Sequence, residues 1–297
     1  MSGTSTPGGA GPTREPFGAR LAAAMAAHGP LCVGIDPHAS LLDAWGLPDD
    51  AAGLRRFSLT VMEAVGGLVA AVKPQAAFFE RHGSAGVAVL EEVVAAGRET
   101  GTLVVVDAKR GDIGSTMSAY AEAFLRDGSP LAGDALTVSP YLGFGSLDPA
   151  VDLALSSGRG LFVLCLTSNK EGHEVQHART DADGEAGPTV AALMASRAAA
   201  LNAGAQPLGS VGLVVGATVG DAAERTGTDL TSVNGPLLAP GVGAQGAGPA
   251  ELAAVFGSAR HQVLASSSRG VLRAGPDVAS LRAAALLAAQ DAAAALS

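Results

Sequence analysis

The chain has 297 residues, of which 48% are hydrophobic and 16% are charged, and its formal net charge is −9. A chain of this length can bury a large core. Its acidic balance disfavours broad binding to nucleic acid or to an anionic membrane, because both need a basic protein surface, so any anionic ligand must be held by a local site.

The first segment, 1–16, is rich in Gly, Ser, Thr and Pro and lacks the charged start and apolar core of a signal peptide. We expect a disordered tail there, followed by one catalytic domain over 17–297. The two cysteines, Cys32 and Cys165, lie in apolar runs without metal-ligand or redox spacing. Buried free thiols of this kind suit a reducing compartment, so we expect a cytoplasmic protein.

Short apolar runs recur along the chain with lengths typical of buried strands. Between them, apolar residues three and four apart, as over 54–65 and 87–94, predict amphipathic helices. Eight such units with continuous apolar strands indicate an α/β fold, a single (β/α)8 TIM barrel. An open doubly wound sheet is the alternative, but no G-x-G-x-x-G motif follows the first strand. The predicted strands are 31–36, 68–73, 103–108, 134–138, 161–166, 211–215, 236–239 and 261–265.

Two later segments have no strand pattern. The polar segment 168–188 is interpreted either as a mobile loop over the barrel mouth or as a plain surface excursion. His173 and His177 within it have the i, i+4 spacing of a metal pair, but no accompanying helix or carboxylate pattern supports a metal site. The Ala-rich C-terminus from Pro276 is interrupted by charges such as Arg282, which predicts a packed surface helix.

The stretch "VVVDAKRGDIGSTM", 104–117, places charged residues directly after the third strand. Asp107 and Lys109 project to the same side of that strand, at the end that forms the active-site face of such a barrel. Lys73 ends the neighbouring second strand, and Asp112 follows closely. Alternating charges would keep both lysines protonated, which favours acid chemistry over a Schiff base. A buried ion pair that only orients the loop is the alternative.

Two loops suit a phosphate group. The glycine-rich segment 239–249 follows the seventh strand and opens a helix, offering backbone N–H groups to an anion. The segment 266–270 follows the eighth strand and offers Arg269 for bidentate contact with phosphate oxygens. Glycine loops are often simple turns, but these two occupy the positions where such barrels commonly bind phosphate. The pair therefore predicts a phosphorylated ligand.

Three more polar residues follow strands at the predicted mouth. Asp36 ends the first strand and could accept a sugar hydroxyl or cap the turn that begins at its Asp-Pro step. Thr167 and Ser168 end the fifth strand and could either donate hydrogen bonds to a polar heterocycle or form a turn. The sequence leaves both alternatives open.

These residues resemble the orotidine 5'-phosphate decarboxylase family, whose signature is an apolar pair followed by D-x-K-x-x-D-I-x-x-T. The segments "VKPQAAFFE", "LTSNKEG" and "APGVGAQG" are similar to other blocks of that family, in particular of its longer bacterial branch, type 2. The resemblance runs from about residue 17 to 290. The signature is met here by Val104, Val105, Asp107, Lys109, Asp112, Ile113 and Thr116.

The resemblance implies conversion of orotidine 5'-phosphate (OMP) to UMP and CO2, the last step of de novo pyrimidine synthesis, without a metal or organic cofactor. By the same resemblance, Lys109 is the proton donor to C6 of the pyrimidine and Asp107 lies against the substrate carboxylate. Lys73 and Asp112 complete the charge network. These four residues are the implied catalytic set.

The resemblance also implies a substrate-binding set and a homodimer with shared active sites. Asp36 and Lys73 would bind the ribose, and Ser168 would contact the base. Asp112 and Thr116 would reach into the partner subunit's site. The phosphate would be held by Gln245 and Arg269.

Two other functions fit parts of the pattern. A related sugar-phosphate enzyme, such as a magnesium-dependent hexulose phosphate synthase, shares the barrel and a similar aspartate and lysine motif. A non-catalytic phosphate-binding barrel is the other alternative, although unneeded buried charges are costly to retain.

Overall fold

The computed structural model describes residues 14–182, 184–242 and 246–297. Eight parallel strands close into a barrel in the order β1-β10-β9-β8-β5-β4-β3-β2, and β6 and β7 form a separate antiparallel hairpin. This confirms the predicted (β/α)8 barrel and excludes the open sheet. The strands are β1 Leu31–Ile35, β2 Ala71–Pro74, β3 Leu103–Arg110, β4 Ala135–Val138, β5 Gly160–Leu166, β6 Arg179–Ala182, β7 Glu185–Thr189, β8 Val211–Val215, β9 Leu237–Pro240 and β10 Val263–Ser267.

Helices follow the strands and cover the outside of the barrel. Short 3-10 turns occur as well, before α7, before α8 and before β10. In the described ranges the helices are α1 Phe17–His28, α2 Ala39–Ala44, α3 Ala51–Val65, α4 Ala76–Glu80, α5 Gly83–Thr100, α6 Gly114–Leu125, α7 Asp148–Ser156, α8 His173–Gln176, α9 Val190–Leu201, α10 Ala222–Thr226, α11 Pro249–Phe256, α12 Arg269–Leu272 and α13 Val278–Leu296.

All eight predicted barrel strands are present, but two begin two or three residues later than predicted. The apolar run at 68–73 starts with a turn at Gly67, which has a positive φ of 73°, so β2 begins only at Ala71. The run at 261–265 starts inside a 3-10 turn, so β10 begins at Val263. Before β2 the turn contains the apolar residues Leu68, Val69 and Ala70, which hydrophobicity alone does not distinguish from the strand, whereas before β10 the turn contains the polar residues His261 and Gln262.

The barrel strands are buried on both faces, and the core therefore has two parts. The larger part lies between the strands and the surrounding helices. The smaller part fills the inside of the barrel with residues from alternate strand positions. The inner cluster includes Cys32, Ala71, Leu103, Val105, Ala135, Phe162, Val214, Leu238 and Leu264.

Helix α1 closes the amino-terminal end of the barrel. Its Phe17 and Leu21 are fully buried in the inner cluster, and the Phe17 ring packs edge-on against Phe162 at 5.9 Å between centroids. A Cβ at Gly160 would lie 2.1 Å from the Phe17 ring, so the helix can dock only where this strand carries glycine. With this end plugged, the barrel interior opens only at the carboxyl ends of its strands.

The segment predicted as 168–188 is folded rather than irregular. It forms a 3-10 turn, the short helix α8 and the hairpin of β6 and β7. His173 and His177 lie one helical turn apart, with ring centroids 6.4 Å from each other. Across the described ranges, no group of three or more His, Cys, Asp or Glu side chains is placed to hold a metal ion.

The C-terminal helix α13 packs as predicted. Leu281, Ala285, Ala289 and Ala292 are buried along one face, which lies against α3 and α11. No helix in the part of the chain that the structure describes is long and apolar enough to cross a lipid bilayer. Residues 1–13 of the predicted N-terminal tail lie outside the described residues.

Candidate active site

The inward-facing positions of four adjacent strands change from apolar to polar towards the open end of the barrel. Because side chains alternate along a strand, the residue two positions beyond an inward apolar residue also points inward. The apolar layers come from the inner cluster, and the polar layer sits on top of them. The inward positions run from apolar Cys32 to polar Asp36 along β1 and just beyond it, from Ala71 to Lys73 on β2, from Leu103 and Val105 to Asp107 on β3, and from Ala135 to Thr137 on β4.

Asp107 is the centre of the charge network. Its Oδ2 lies 2.9 Å from Nζ of Lys73, and its Oδ1 lies 2.6 Å from Nζ of Lys109. Lys73 also faces Asp36, with 3.9 Å between Nζ and Oδ1. Lys73 and Asp107 are buried, whereas the Lys109 side chain is 42% exposed to the barrel mouth. Asp36, Lys73, Asp107 and Lys109 therefore alternate in charge along one connected chain, in which Asp36 takes the place that the sequence prediction gave to Asp112.

The network keeps its charges over a wide pH range. Burial by itself would raise the pKa of Asp107, but the Lys73 and Lys109 ammonium groups outweigh burial and lower this pKa to about 2. Burial would likewise lower the pKa of Lys73, but the Asp107 and Asp36 carboxylates reverse that effect and raise this pKa above its ordinary value. Both groups thus stay ionised from about pH 4 to about pH 10.

Lys109 is held by an unusual backbone. Its φ is 48°, in the left-handed region that residues other than glycine rarely adopt. The ladder between β3 and β4 is irregular here, because Val106 pairs with Leu136 and the next paired residue is Arg110, with Val138. This bulge directs the Lys109 side chain into the mouth of the barrel.

Gln75 is a site residue that sequence reasoning missed. It lies two positions beyond Lys73 and therefore projects to the same side of β2. With its amide nitrogen towards Asp107, it donates a hydrogen bond to Oδ2 at 2.5 Å, and its oxygen accepts one from the Lys109 ammonium at 3.1 Å. This neutral side chain thus links the carboxylate to the exposed ammonium. The signal was available in the spacing "K-P-Q", although Pro74 obscured it as a strand pattern.

A cavity of about 740 Å³ lies directly above the network. Its described lining residues include four cations and two carboxylates, so its local charge is positive in a chain whose net charge is −9. A volume of this size suits a ligand as large as a nucleotide. The charged lining residues are Lys73, Lys109, Arg269, Arg273, Asp36 and Asp107.

Both predicted phosphate loops reach this cavity. Arg269 opens α12 and lines the cavity, as do Gly241 and Gly246 from the loop after β9. At the amino end of α11, one backbone N–H already has a partner within the protein. The Glu251 carboxylate accepts the Gly248 N–H at 2.9 Å and caps the helix, and from the described part of the loop Gly241, Val242 and Gly246 line the cavity.

Arg273 is a second cavity residue that sequence reasoning missed. It comes four positions after Arg269, one helical turn further along, and lines the same cavity. The helix α12 is only four residues long, so the sequence shows no periodic pattern that would pair the two arginines.

The remaining strand-end residues separate into two roles. Among the described residues at the cavity, Oδ1 of Asp36 and Oγ of Ser268 are buried and have no hydrogen-bond partner. Buried polar atoms are normally hydrogen-bonded, so these two are candidates for hydrogen bonds to a bound ligand. The Thr167 hydroxyl already has partners within the protein, since its Oγ1 donates a hydrogen bond to Asn169 at 2.6 Å and accepts one from Gln176 at 2.7 Å. Ser168 lines the cavity beside it.

Three predicted residues are not part of this arrangement. Within the described lining of the cavity, neither Asp112 nor Thr116 is found, and both lie at the protein surface outside it. The Asp112 carboxylate accepts the N–H of Ile113 at 2.8 Å. Gln245 lies outside the described residues, so its predicted phosphate contact has no structural counterpart here.

A parallel α/β barrel with a lysine–aspartate network beneath a cavity lined by cationic side chains is typical of enzymes that act on small phosphorylated molecules. The model of the orotidine 5'-phosphate decarboxylase / HUMPS family matches residues 29–284 of this chain. The chain belongs to this family.

Individual relatives are similar to this chain over nearly its whole length. The chain is 65% identical to orotidine 5'-phosphate decarboxylase of Streptomyces coelicolor over 91% of its own length and 95% of the relative. Identity to the enzyme of Salinispora arenicola is 62%, with the same coverage of both chains. A crystal structure from Streptomyces avermitilis, described as an orotidine 5'-phosphate decarboxylase, superposes with a TM-score of 0.90 at 65% identity, over 96% of this chain and 97% of that one.

Proposed function

We propose that this chain decarboxylates OMP to UMP and CO2, with Lys109 as the proton donor to C6 of the pyrimidine. The observation that carries the proposal is the connected chain of Lys73, Asp107 and Lys109 beneath a cation-rich cavity. The relatives that are more than 60% identical to this chain carry the name of this enzyme, which supports the same reaction here.

The chemistry requires an acid beside a developing carbanion. The bond between C6 and the carboxylate breaks, its electron pair stays on C6, and CO2 leaves. A fixed ammonium stabilises that electron pair and then transfers a proton to C6. Lys109 is suited to this step because it is the half-exposed cation of the network and points into the cavity. After the transfer, the Lys109 amine regains a proton from water.

Asp107 contributes by its charge and its position. An ionised carboxylate at this place repels the substrate carboxylate, and that repulsion falls as CO2 becomes neutral and leaves. Its pKa, lowered to about 2 by the neighbouring ammonium groups, keeps it charged at neutral pH. Lys73 balances the charge of Asp107 from the opposite side of the carboxylate.

The rest of the substrate is bound along the cavity. Asp36 and Lys73 take the ribose hydroxyl groups, for which the unpartnered Asp36 oxygen is a suitable acceptor. Ser168 contacts the base, whereas Thr167 holds the loop. Arg269 and Gln245 bind the phosphate. Phosphate binding far from the reacting bond lowers the barrier when its energy orders the site.

The active site is shared across a homodimer in this proposal. Asp112 and Thr116 sit outside their own subunit's cavity, and between them Ile113 is 62% exposed. Beyond the end of β4, which pairs with β3 up to Arg110 and Val138, Tyr141 is 76% exposed and Leu142 is 53% exposed. Adjacent exposed apolar side chains of this size mark a surface that another protein covers. A second copy of this chain would cover them and bring Asp112 to the site.

The two cysteines support a reducing, cytoplasmic location. Both are free and buried, as predicted, and burial raises the pKa of each thiol to about 12. Thiols in this state are inert towards disulfide exchange.

The proposed reaction is tested with purified protein, OMP and an excess of EDTA. We expect the ultraviolet absorbance of OMP to fall at the same rate with and without the chelator, with UMP as the product. No decarboxylation would contradict the proposal. Activity only on a ribulose phosphate and formaldehyde, restored by Mg²⁺ after chelation, would assign the chain to the hexulose phosphate branch of the same family.

Arg269→Ala is expected to lower kcat/KM for OMP by about 100-fold or more, since one charge-assisted bidentate contact to a dianion is lost. Orotidine, which has no phosphate, provides the matched control. Its slower decarboxylation should be the same in both proteins, because Arg269 has nothing to bind in that substrate. An unchanged kcat/KM for OMP, or an equal loss on both substrates, would place the phosphate elsewhere.

A further inference from the structure

Thr137 lies opposite the bulge that carries Lys109. On either side of the bulge, Val106 of β3 pairs with Leu136, and Arg110 pairs with Val138. Three residues of β3, 107–109, therefore face the single residue Thr137 of β4. The extra backbone groups of a bulge have no partners in the ladder, and burying them unpaired would be costly.

The Thr137 hydroxyl takes the place of the missing ladder partner. Its Oγ1 accepts the backbone N–H of Lys109 at 2.9 Å and donates to Oδ1 of Asp107 at 2.8 Å. The side chain is 1% exposed, so no water competes with these bonds. Because its acceptor side faces the Lys109 N–H, its single proton points to Asp107, which must therefore be an acceptor at this oxygen.

We infer that Thr137 is a positioning residue for the reaction, which fixes the Asp107 carboxylate and the backbone of Lys109 relative to each other. It does not line the described part of the cavity, so it acts through these two residues and not on the substrate. This role rests on the proposed function, in which Lys109 donates the proton and Asp107 faces the substrate carboxylate.

The geometry explains why one hydroxyl matters here. Lys109 has a φ of 48°, which a lysine adopts only when its surroundings hold it there. The bond from its N–H to Thr137 is one such restraint, and the bond from Lys109 Nζ to the same Asp107 oxygen is another. Without Thr137 the ammonium keeps its charge partner but loses its fixed direction.

Two opposite substitutions separate the hydroxyl from the methyl group. Thr137→Val keeps the shape and removes both hydrogen bonds, and we expect kcat to fall about 10- to 100-fold, with KM for OMP changed less than about twofold. Thr137→Ser keeps the hydroxyl, and its kcat is expected to stay within about threefold of the parent. If packing alone were important, the order of these two variants would be reversed, and the inference would be overturned.

Thr102→Val is the matched control. Thr102 is equally buried, directly before β3 at the closed end of the barrel, and its Oγ1 accepts the Gly67 N–H at 2.6 Å. Its loss should reduce the melting temperature without changing kcat. If Thr137→Val does not fold, Thr137→Ala replaces it with the same expected kcat loss, and parent-like kcat in that variant would contradict the inference.

Hydrogen exchange gives a readout that does not depend on activity. The amide of Lys109 should exchange faster in Thr137→Val than in the parent and in Thr137→Ser, followed by mass spectrometry of a peptide that contains 107–110. Failure of the parent to decarboxylate OMP would remove the proposed function while leaving this bond testable. A parent that is active, with unchanged exchange and unchanged kcat in Thr137→Val, would overturn the inference alone.

Discussion

Lys109→Ala should lower the rate of OMP decarboxylation by about 10⁴-fold or more, because it removes both the proton donor and the charge next to C6. The protein should remain folded, since the Lys109 side chain is 42% exposed at the rim and Asp107 keeps its partner Lys73. The measurement is the first-order rate constant of decarboxylation in single-turnover conditions, with the melting temperature as the check on folding. Activity within about tenfold of the parent would remove Lys109 from the mechanism.

Two further lysine variants test whether Lys109 acts as an acid or only as a charge. Lys109→Arg keeps a cation beside Asp107, but a guanidinium does not give up its proton at neutral pH. It should therefore remain nearly inactive if Lys109 is an acid, and it should be largely active if only the charge is needed. The chain has three lysines in all, and Lys170, which is exposed outside the described cavity lining, supplies the control. Lys170→Ala should have the activity of the parent.

The part of the site that the sequence predicts follows from strand parity. Asp107 and Lys73 stand two positions beyond inner-cluster residues, and a hydrophobic strand that ends in a charge predicts a polar layer at the mouth. The same rule applied to Ala135 on β4 indicates Thr137. A single threonine in the run "ALTV" is common in strands, however, so its chemistry gives no separate signal.

What the sequence did not show is local geometry that several strands determine together. The bulge at 107–109 exists only because β3 and β4 pair on both sides of it, and no residue in "DAKR" predicts it. The capped start of α11 depends on Glu251 turning back to Gly248, which spacing alone allows but does not require. The hairpin within 168–188 is exposed and polar, so it lacks the alternation that reveals a half-buried strand.

The shared active site predicts complementation between two inactive variants. Lys109→Ala and Asp112→Ala should each be nearly inactive alone, but a mixed dimer has one site with both lesions and one site with neither. Random exchange of equal amounts makes half of the dimers mixed, so about one quarter of the parent sites should return, by the symmetry of a two-fold interface. The measurement is OMP decarboxylation after dilution and reconcentration, which allows the subunits to exchange.

A mixture of Lys109→Ala with Lys73→Ala is the matched control for this experiment. Lys73 and Lys109 bind the same Asp107 within one subunit, so every site of that mixed dimer lacks one of the two lysines. Subunit exchange should therefore restore nothing in the control while it restores activity with Asp112→Ala. Mixed dimers that are verified by mass spectrometry yet inactive in both mixtures would mean that Asp112 serves its own subunit, and that the exposed surface around Ile113 and Tyr141 does not carry a shared site.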